Sequence, residues 1–235
     1  MNYKFFPLFF VVLLTSFTSL PNKTNSTKIN VKTETNSVSR ITSIYNELDA
    51  NSFALPNFEC FSLAMNGFQK LKERGLVEKN ILTLVDFSLS SNTKRLWVID
   101  LATNTVLFQS LVAHGRNTGE EYASAFSNNN SSFKSSLGFY ATGEIYQGKH
   151  GASLRLDGLE RGYNNNARER GVVVHGADYV SESFIRNHKR LGRSQGCPAL
   201  PVELTGKIIQ IIKDKSCLYI YHPSRGFAME EKLIS

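Results

Sequence analysis

The chain is poor in cysteine and has no long apolar run. Its 235 residues include three cysteines, Cys60, Cys197 and Cys217. Three thiols cannot all pair within one chain, so at least one stays free or pairs elsewhere even in an oxidising compartment. The apolar run at residues 5–14 is too short to cross a bilayer as a permanent helix. The sequence therefore excludes complete pairing of its cysteines and leaves an odd thiol that needs a chemical reason.

The composition of the first 40 residues is typical of a targeting signal and a leader segment, not of a folded unit. Lys4, the apolar run and the small polar residues after it predict a secretory signal at residues 1–20, with an uncleaved N-terminal anchor as the alternative. Residues 21–40 are rich in Asn, Thr, Ser and Lys and predict a disordered leader. We expect one domain over residues 41–235, located in the periplasm or cell envelope, with no stable membrane span after signal cleavage. The sequence leaves the oligomeric state open.

Patterns for metal and nucleic-acid binding are also missing. The histidines match no short zinc-binding spacing, and no carboxylate-histidine helix motif is present, so we expect no metal and no other cofactor. The formal charge is +7 and the pI is near 9.3, but Lys and Arg are scattered and form no stripe with interleaved aromatics. For an exported protein this charge favours an anionic wall polymer or membrane surface over nucleic acid.

The distribution of apolar residues predicts a mainly β domain with a few helices on one side. Spacings of three and four predict a packing helix over residues 58–71, and β-branched runs parted by turns predict short strands from residue 81 onward. The polar, low-complexity residues 127–136 predict a long mobile loop. Further expected elements are strands at 95–100, 105–114, 172–176 and 217–221 and helices at 181–188 and 201–213.

The setting of Cys197 differs from that of the other two cysteines. Cys60 lies in a predicted helix and Cys217 in a predicted strand, where a free thiol often serves as a small buried hydrophobe. Cys197 lies in a polar, glycine-punctuated stretch, residues 193–200, with the sequence Arg-Ser-Gln-Gly-Cys-Pro-Ala-Leu. Gly196 lets the backbone approach a substrate, and the amides of Gly196 and Cys197 are candidate donors to a developing oxyanion. Cys197 is therefore the candidate nucleophile.

A nucleophilic thiol needs a base, and His175 is the candidate. His175 ends an apolar Val-Val-Val strand and is followed by Gly176. A histidine after such a strand is often a satisfied core residue, which is the alternative interpretation. The glycine after it and the return of the chain to a reactive cysteine favour a Cys-His pair for acyl transfer. In papain-like proteases the Cys precedes the His, whereas here the His comes first.

These segments resemble the murein L,D-transpeptidase catalytic domain, the YkuD-like family, and within it the branch whose motif is Ser-x-Gly-Cys-Pro-Ala-Leu. The resemblance covers about residues 55–225. The segments that carry it are Asp-Phe-Ser at 86–88, Leu-Trp-Val-Ile-Asp-Leu at 96–101, Val-Ala-His-Gly at 112–115, Ser-Leu-Arg-Leu-Asp-Gly-Leu-Glu at 153–160, Arg-Gly-Val-Val-Val-His-Gly-Ala at 170–177 and the stretch around Cys197.

The resemblance implies a β-sandwich-like fold and a reaction on peptidoglycan stem peptides. In that reaction the thiol of Cys197 attacks the amide before the terminal D-alanine of a tetrapeptide, D-alanine leaves, and an amine of a neighbouring stem resolves the thioester. His175 would accept the thiol proton and later deprotonate the amine. The oxyanion site or its surroundings would include Gly196, Ser194 and Gly176.

The chain departs from the commoner family pattern, in which His precedes the Gly-Cys pair and Arg stands two residues after the Cys. Gln195 and Ala199 occupy those places here. Recognition of a substrate carboxylate is therefore assigned to another cation, and Arg193 and Arg155 are the candidates. His150 is a further candidate for substrate binding.

Two other functions stay open at the level of sequence. Water in place of an amine would make the protein an L,D-carboxypeptidase or hydrolase of the same stems. A wall-binding module without turnover is the third possibility, although Cys197 and His175 are both present. The acceptor amine and the third residue of the stem are also left open.

Overall fold

A computed structural model describes residue 1 and residues 31–225 of the chain. Apart from Met1, the predicted signal lies outside the described residues, as do the last ten residues of the predicted domain. The helices are α1 (Val31–Asn46), α2 (Phe58–Glu73), α3 (Glu182–His188) and α4 (Val202–Ile212). The strands are β1 (Ile81–Asp86), β2 (Leu96–Asp100), β3 (Thr105–Ser110), β4 (Gly138–Gly148), β5 (Gly151–Gly158), β6 (Val173–Gly176), β7 (Ala199–Leu200) and β8 (Cys217–Tyr221).

The strands form one curled sheet with the order β3-β2-β1-β8-β4-β5-β6-β7. β1 pairs in parallel with β8, and β6 pairs in parallel with β7. The remaining neighbours are antiparallel. After β3 the chain runs on to Ala113, whose N–H donates to the carbonyl of Ala199 in β7 at 2.9 Å. Because this bridge links the segment that follows the outer strand β3 to the other outer strand β7, the edges of the sheet nearly meet.

Helix α2 covers one face of the sheet. The side chain of Asn57 accepts a hydrogen bond from the backbone N–H of Glu59 and so caps the first turn. The apolar side chains of α2 recur at helical spacing and are buried in a core that includes Cys60 and Cys217. Gly67 lets the helix approach β4 closely, since a Cβ at this position would overlap the ring of Phe139. Cys60 and Cys217 are buried free thiols.

A second core lies on the opposite face, where α4 packs. Successive residues of a strand point to opposite faces, so Leu84 belongs to the core under α2 and Val85 to the second core. The buried stripe of α4 consists of Ile208, Ile209 and Ile212. This helix follows β7 directly, so its packing fixes the end of the segment that carries Cys197.

The predicted fold class, mainly β with a few helices, is confirmed. Two details differ from the sequence predictions. Helix α1 begins at Val31 and so takes in the last ten residues of the segment predicted as a leader. The loop at 127–136 packs against the domain at its C-terminal end, because Ser135 and Ser136 are each only 1% exposed. In the described part of the chain, every helix is too short or too polar to span a membrane.

Candidate active site

Strands β6 and β7 bring the predicted nucleophile and base to one place. His175 lies opposite Ala199 in the parallel pair, and Cys197 stands two residues before Ala199. Cys197 and His175 both line a cavity of about 710 Å³. Residues 22 positions apart in the sequence thus face the same space, as the interpretation of a Cys-His pair requires.

Hydrogen bonding determines which nitrogen of His175 is basic. Nδ1 of His175 lies 2.9 Å from the carbonyl oxygen of Gly176. A carbonyl only accepts, so Nδ1 carries the proton and Nε2 keeps its lone pair. The side chain is 4% exposed, and burial lowers the pKa of His175 below its ordinary value, assisted by the nearby His150 and Lys149. His175 is therefore a neutral base at neutral pH.

Cys197 is held as a thiol in the resting site. Burial raises the pKa of Cys197, while the backbone N–H of Val173 and the charge of Arg170 act in the opposite direction. Its Sγ donates to the carbonyl oxygen of Gly171 at 3.7 Å. A raised thiol pKa beside a lowered imidazole pKa favours the neutral pair over a thiolate-imidazolium pair.

The turn that carries Cys197 is fixed by Ser194. The hydroxyl of Ser194 donates to the carbonyl of Cys197 at 2.6 Å and accepts from the N–H of Gly196 at 3.0 Å. Gly196 has φ of +125°, a conformation that favours glycine. The N–H of Gly196 is thus engaged within the turn, whereas the amide of Cys197 makes no hydrogen bond with any described residue. This leaves the Cys197 amide as a free donor beside the candidate nucleophile, where it could bind an oxyanion.

The structure places the predicted substrate-binding residues in different settings. The ring of His150 stacks on that of His175 at 4.6 Å between centroids, and both line the cavity. Arg193 also lines the cavity, but its Nη1 pairs with Glu120 at 2.6 Å and donates to two carbonyls. Arg155 pairs with Glu144 at 3.1 Å and lies outside the set of described residues that line the cavity.

The two positions that depart from the commoner motif differ in burial. Ala199 is fully buried in a small apolar cluster, where a guanidinium would lose its hydration. Gln195 is exposed at the cavity. Gly176 is buried under α4, and a Cβ there would lie 3.0 Å from Oγ1 of Thr205. The glycine after His175 therefore allows close packing of α4, which the sequence interpretation did not foresee.

Sequence reasoning gave no role to three residues at the cavity. Arg170, Tyr179 and Lys149 all line it. Burial raises the pKa of Tyr179 to about 12, and the charge of Cys197 adds to this effect, so the phenol stays protonated. Position in the sequence offered one signal, because Arg170 stands just before the strand of His175 and Tyr179 just after it.

His114 lies beneath the site without lining the cavity. Its Nδ1 accepts from Nη2 of the fully buried Arg95 at 2.9 Å, and its Nε2 donates to the carbonyl of Gly119 at 3.2 Å. Its own carbonyl accepts from the N–H of Ser194 at 3.0 Å. Among the described residues, no group of three or more His, Cys, Asp or Glu side chains is arranged to hold a metal ion.

Comparison with known proteins assigns the family. Residues 54–221 match the family profile of the L,D-transpeptidase catalytic domain. The chain therefore belongs to the L,D-transpeptidase catalytic domain family. No curated protein matches the chain in sequence.

Solved structures, most of them of L,D-transpeptidases, are similar to the chain at low identity. An L,D-transpeptidase from Mycobacterium smegmatis has 12% identity and a TM-score of 0.39, with 61% of this chain and 59% of that chain covered. The helical cell shape determining protein Pgp2 from Campylobacter jejuni has 15% identity and a TM-score of 0.42, with 66% and 53% covered. An L,D-transpeptidase from Xylanimonas cellulosilytica has 12% identity and a TM-score of 0.35, with 65% and 68% covered. The chain thus spans little more than half the length of the first two structures.

Proposed function

We propose that the protein is a cysteine-dependent L,D-transpeptidase that acts on the tetrapeptide stems of peptidoglycan through a thioester on Cys197. The family acts on peptidoglycan, and it gives the reaction class. The observation that carries the proposal is the placement of Cys197 and His175 at one cavity, with His175 on β6 and Cys197 in the turn just before the neighbouring strand β7, and with Nε2 of His175 unprotonated. Both groups of an acyl-transfer pair are thus present in the state that the first step requires.

The first half-reaction forms the thioester. As Sγ of Cys197 attacks the carbonyl carbon before the terminal D-alanine, Nε2 of His175 takes the thiol proton. The tetrahedral oxyanion accepts a hydrogen bond from the amide of Cys197, and Ser194 keeps the turn in shape. When the C–N bond breaks, imidazolium returns the proton to the leaving amine, and D-alanine departs.

The second half-reaction uses the same groups in reverse. An amine of a neighbouring stem attacks the thioester carbon while His175 removes its proton, and the thiol of Cys197 is regenerated with that proton. The stem would be held by residues that line the cavity, and we assign contacts to His150 and Arg193. The site of action would be the cell envelope, where the substrate polymer lies.

Product analysis tests the proposal and separates it from its alternatives. Purified protein is incubated with a disaccharide tetrapeptide, and the soluble products are separated and weighed by mass spectrometry. Crosslinked dimers with released D-alanine support transpeptidation, whereas tripeptide with D-alanine and no dimer would indicate a carboxypeptidase. An unchanged muropeptide that nevertheless binds the protein would indicate a wall-binding module and overturn the proposal.

A further inference from the structure

Arg170 lies beside the nucleophile but faces a different segment. It lines the cavity with Cys197, and it immediately precedes Gly171, whose carbonyl accepts from Sγ of Cys197. Its own backbone N–H donates to the carbonyl of Asn166 at 2.9 Å, within the turns that precede β6. The backbone of Arg170 is thus held by these turns, just before the strand that carries His175.

The guanidinium of Arg170 donates hydrogen bonds to four acceptors in the loop at 127–136. Nη1 donates to the carbonyl of Ser127 at 2.9 Å and to the hydroxyl of Ser136. Nη2 donates to the carbonyl of Lys134 at 2.7 Å and to the hydroxyl of Ser132 at 3.3 Å. The rigid fork of arginine suits such a set of acceptors, and lysine has no equivalent geometry.

The same loop supports the turn of the nucleophile. The hydroxyl of Ser135 donates to the carbonyl of Gly196 at 3.1 Å and accepts from the N–H of Gly115 at 3.0 Å. A Cβ at Gly196 would lie 2.8 Å from the carbonyl oxygen of Lys134, so the turn and the loop are in close contact. The loop that Arg170 holds in place therefore contacts Gly196, the residue next to Cys197.

We propose that Arg170 is a positioning residue that fastens the 127–136 loop under the Cys197 turn and presents a positive charge to the developing thiolate. This proposal rests on the assignment of Cys197 as the nucleophile. Arg170 makes no hydrogen bond to Sγ, so it acts through the loop and through its field. It also supplies a fixed cation near the thiol, a role that the residues Gln195 and Ala199 of this chain cannot take.

Electrostatics at the cavity agree with this role. Arg170 lowers the pKa of Cys197 against the larger, opposite effect of burial. Burial lowers the pKa of Arg170 itself, and Tyr140 and Cys197 act in the opposite direction. The other titratable or charged groups that line the cavity are Tyr146, Lys149, His150, His175, Tyr179 and Arg193. No carboxylate occurs among the described residues that line it, so no anion there competes with the thiolate for the charge of Arg170.

The test measures the thiol without any substrate. The rate of alkylation by iodoacetamide is followed against pH by intact mass, and Cys60 and Cys217 are fully buried and do not compete. We expect Arg170→Gln to move the midpoint of the rate profile to higher pH and to slow alkylation several-fold at neutral pH. Arg168→Gln is the matched control, because Arg168 is exposed, pairs with Glu144 at 3.1 Å and lies outside the cavity lining. It should keep the wild-type midpoint.

Arg170→Lys separates the positive charge from the hydrogen bonds that fasten the loop. It also provides a test if Arg170→Gln does not fold. Lysine keeps the charge but loses the fork, so the midpoint should stay near the wild-type value while turnover of the muropeptide falls. An unchanged midpoint in folded Arg170→Gln, or wild-type turnover in Arg170→Lys, overturns the proposal. If the wild-type protein is inactive on muropeptides but Arg170→Gln still shifts the alkylation midpoint, only the proposed function is contradicted.

Discussion

At the scale of single residues, burial acts on Cys197 and His175 in opposite directions. It raises the pKa of Cys197 and lowers that of His175, so the proton of the pair stays on sulfur. In the reaction that we propose, attack and proton transfer would therefore occur together, and the tautomer set by the carbonyl of Gly176 leaves Nε2 free to accept the proton. The thiol would then be activated during the reaction instead of being present as thiolate beforehand.

The first prediction concerns removal of the proposed base. His175→Gln keeps a side chain of similar polarity but cannot accept and return a proton, so kcat should fall by about 10²- to 10⁴-fold. His188→Gln is the control, because His188 is exposed on α3 and away from the cavity lining. Steady-state release of D-alanine measures both, and near wild-type kcat in His175→Gln would remove His175 from the mechanism.

The pH dependence of turnover follows from the same pair. His175 must be neutral to accept the proton, and burial places its pKa below the ordinary value of 6.5. Activity should therefore rise with pH through a midpoint below 6.5 and be lost as pH falls through it. Measurement of kcat/KM from acid to neutral pH locates this midpoint in the free enzyme. A midpoint above 6.5 would contradict the assignment of a buried neutral histidine as base.

At the scale of elements, α2 meets the sheet through a glycine. Gly67 lies where a Cβ would overlap the ring of Phe139, which itself stacks on Tyr219 at 4.2 Å between centroids. Gly206 on α4 is also helical, but a Cβ added there would meet only open space. Replacement of either glycine by alanine brings the same gain in helix propensity, and the two positions differ only in the space available for a Cβ.

This contrast gives a stability prediction for the helices. Gly67→Ala should lower the free energy of unfolding by about 1–3 kcal/mol, because overpacking at the ring outweighs the gain in helix propensity. Gly206→Ala should raise it by about 0.5–1 kcal/mol, since only the propensity gain remains. Urea unfolding measures both variants. A stabilising Gly67→Ala would show that α2 does not approach β4 as described.

At the scale of the whole molecule, local patterns predicted the elements, but the contacts between distant segments were beyond them. The periodicity of α2, α4 and the strands could be predicted because it depends on a few neighbouring residues. Cys197 and His175 were selected in the same way from their neighbours, and their catalytic roles stay a prediction. The loop at 127–136 has a polar composition that predicts mobility, yet Arg170 and Ser135 tie it to the site. The partners of Arg193 and Arg155, Glu120 and Glu144, likewise follow from the tertiary fold alone.

Stability of the whole domain should depend on pH through buried histidine. Burial, with help from Arg95, lowers the pKa of His114 from 6.5 to about 4. The unfolded chain binds more protons between these values, so stability is present above 6.5 and is lost as pH falls toward 4. His114 alone should account for a loss of about 2 kcal/mol between pH 7 and pH 5. The lowered pKa values of His175 and His222 act in the same sense.

A non-titrating replacement checks this prediction. In His114→Asn the amide can accept from Arg95 and donate to Gly119, so the network persists while the pH-dependent contribution disappears. Urea unfolding at pH 7 and pH 5 should show a smaller difference in this variant than in the wild type. His188→Asn, at an exposed position, should leave the difference unchanged. An equal difference in His114→Asn would assign the acid sensitivity elsewhere.

The intact mass of the protein after brief exposure to a disaccharide tetrapeptide shows whether Cys197 forms a thioester with a stem peptide. We expect an adduct with the mass of the donor less D-alanine, mapped to Cys197 and absent from Cys197→Ala, whose turnover should fall by at least about 10³-fold. Turnover in the wild type with the adduct on another residue, or undiminished turnover in Cys197→Ala, would contradict that expectation.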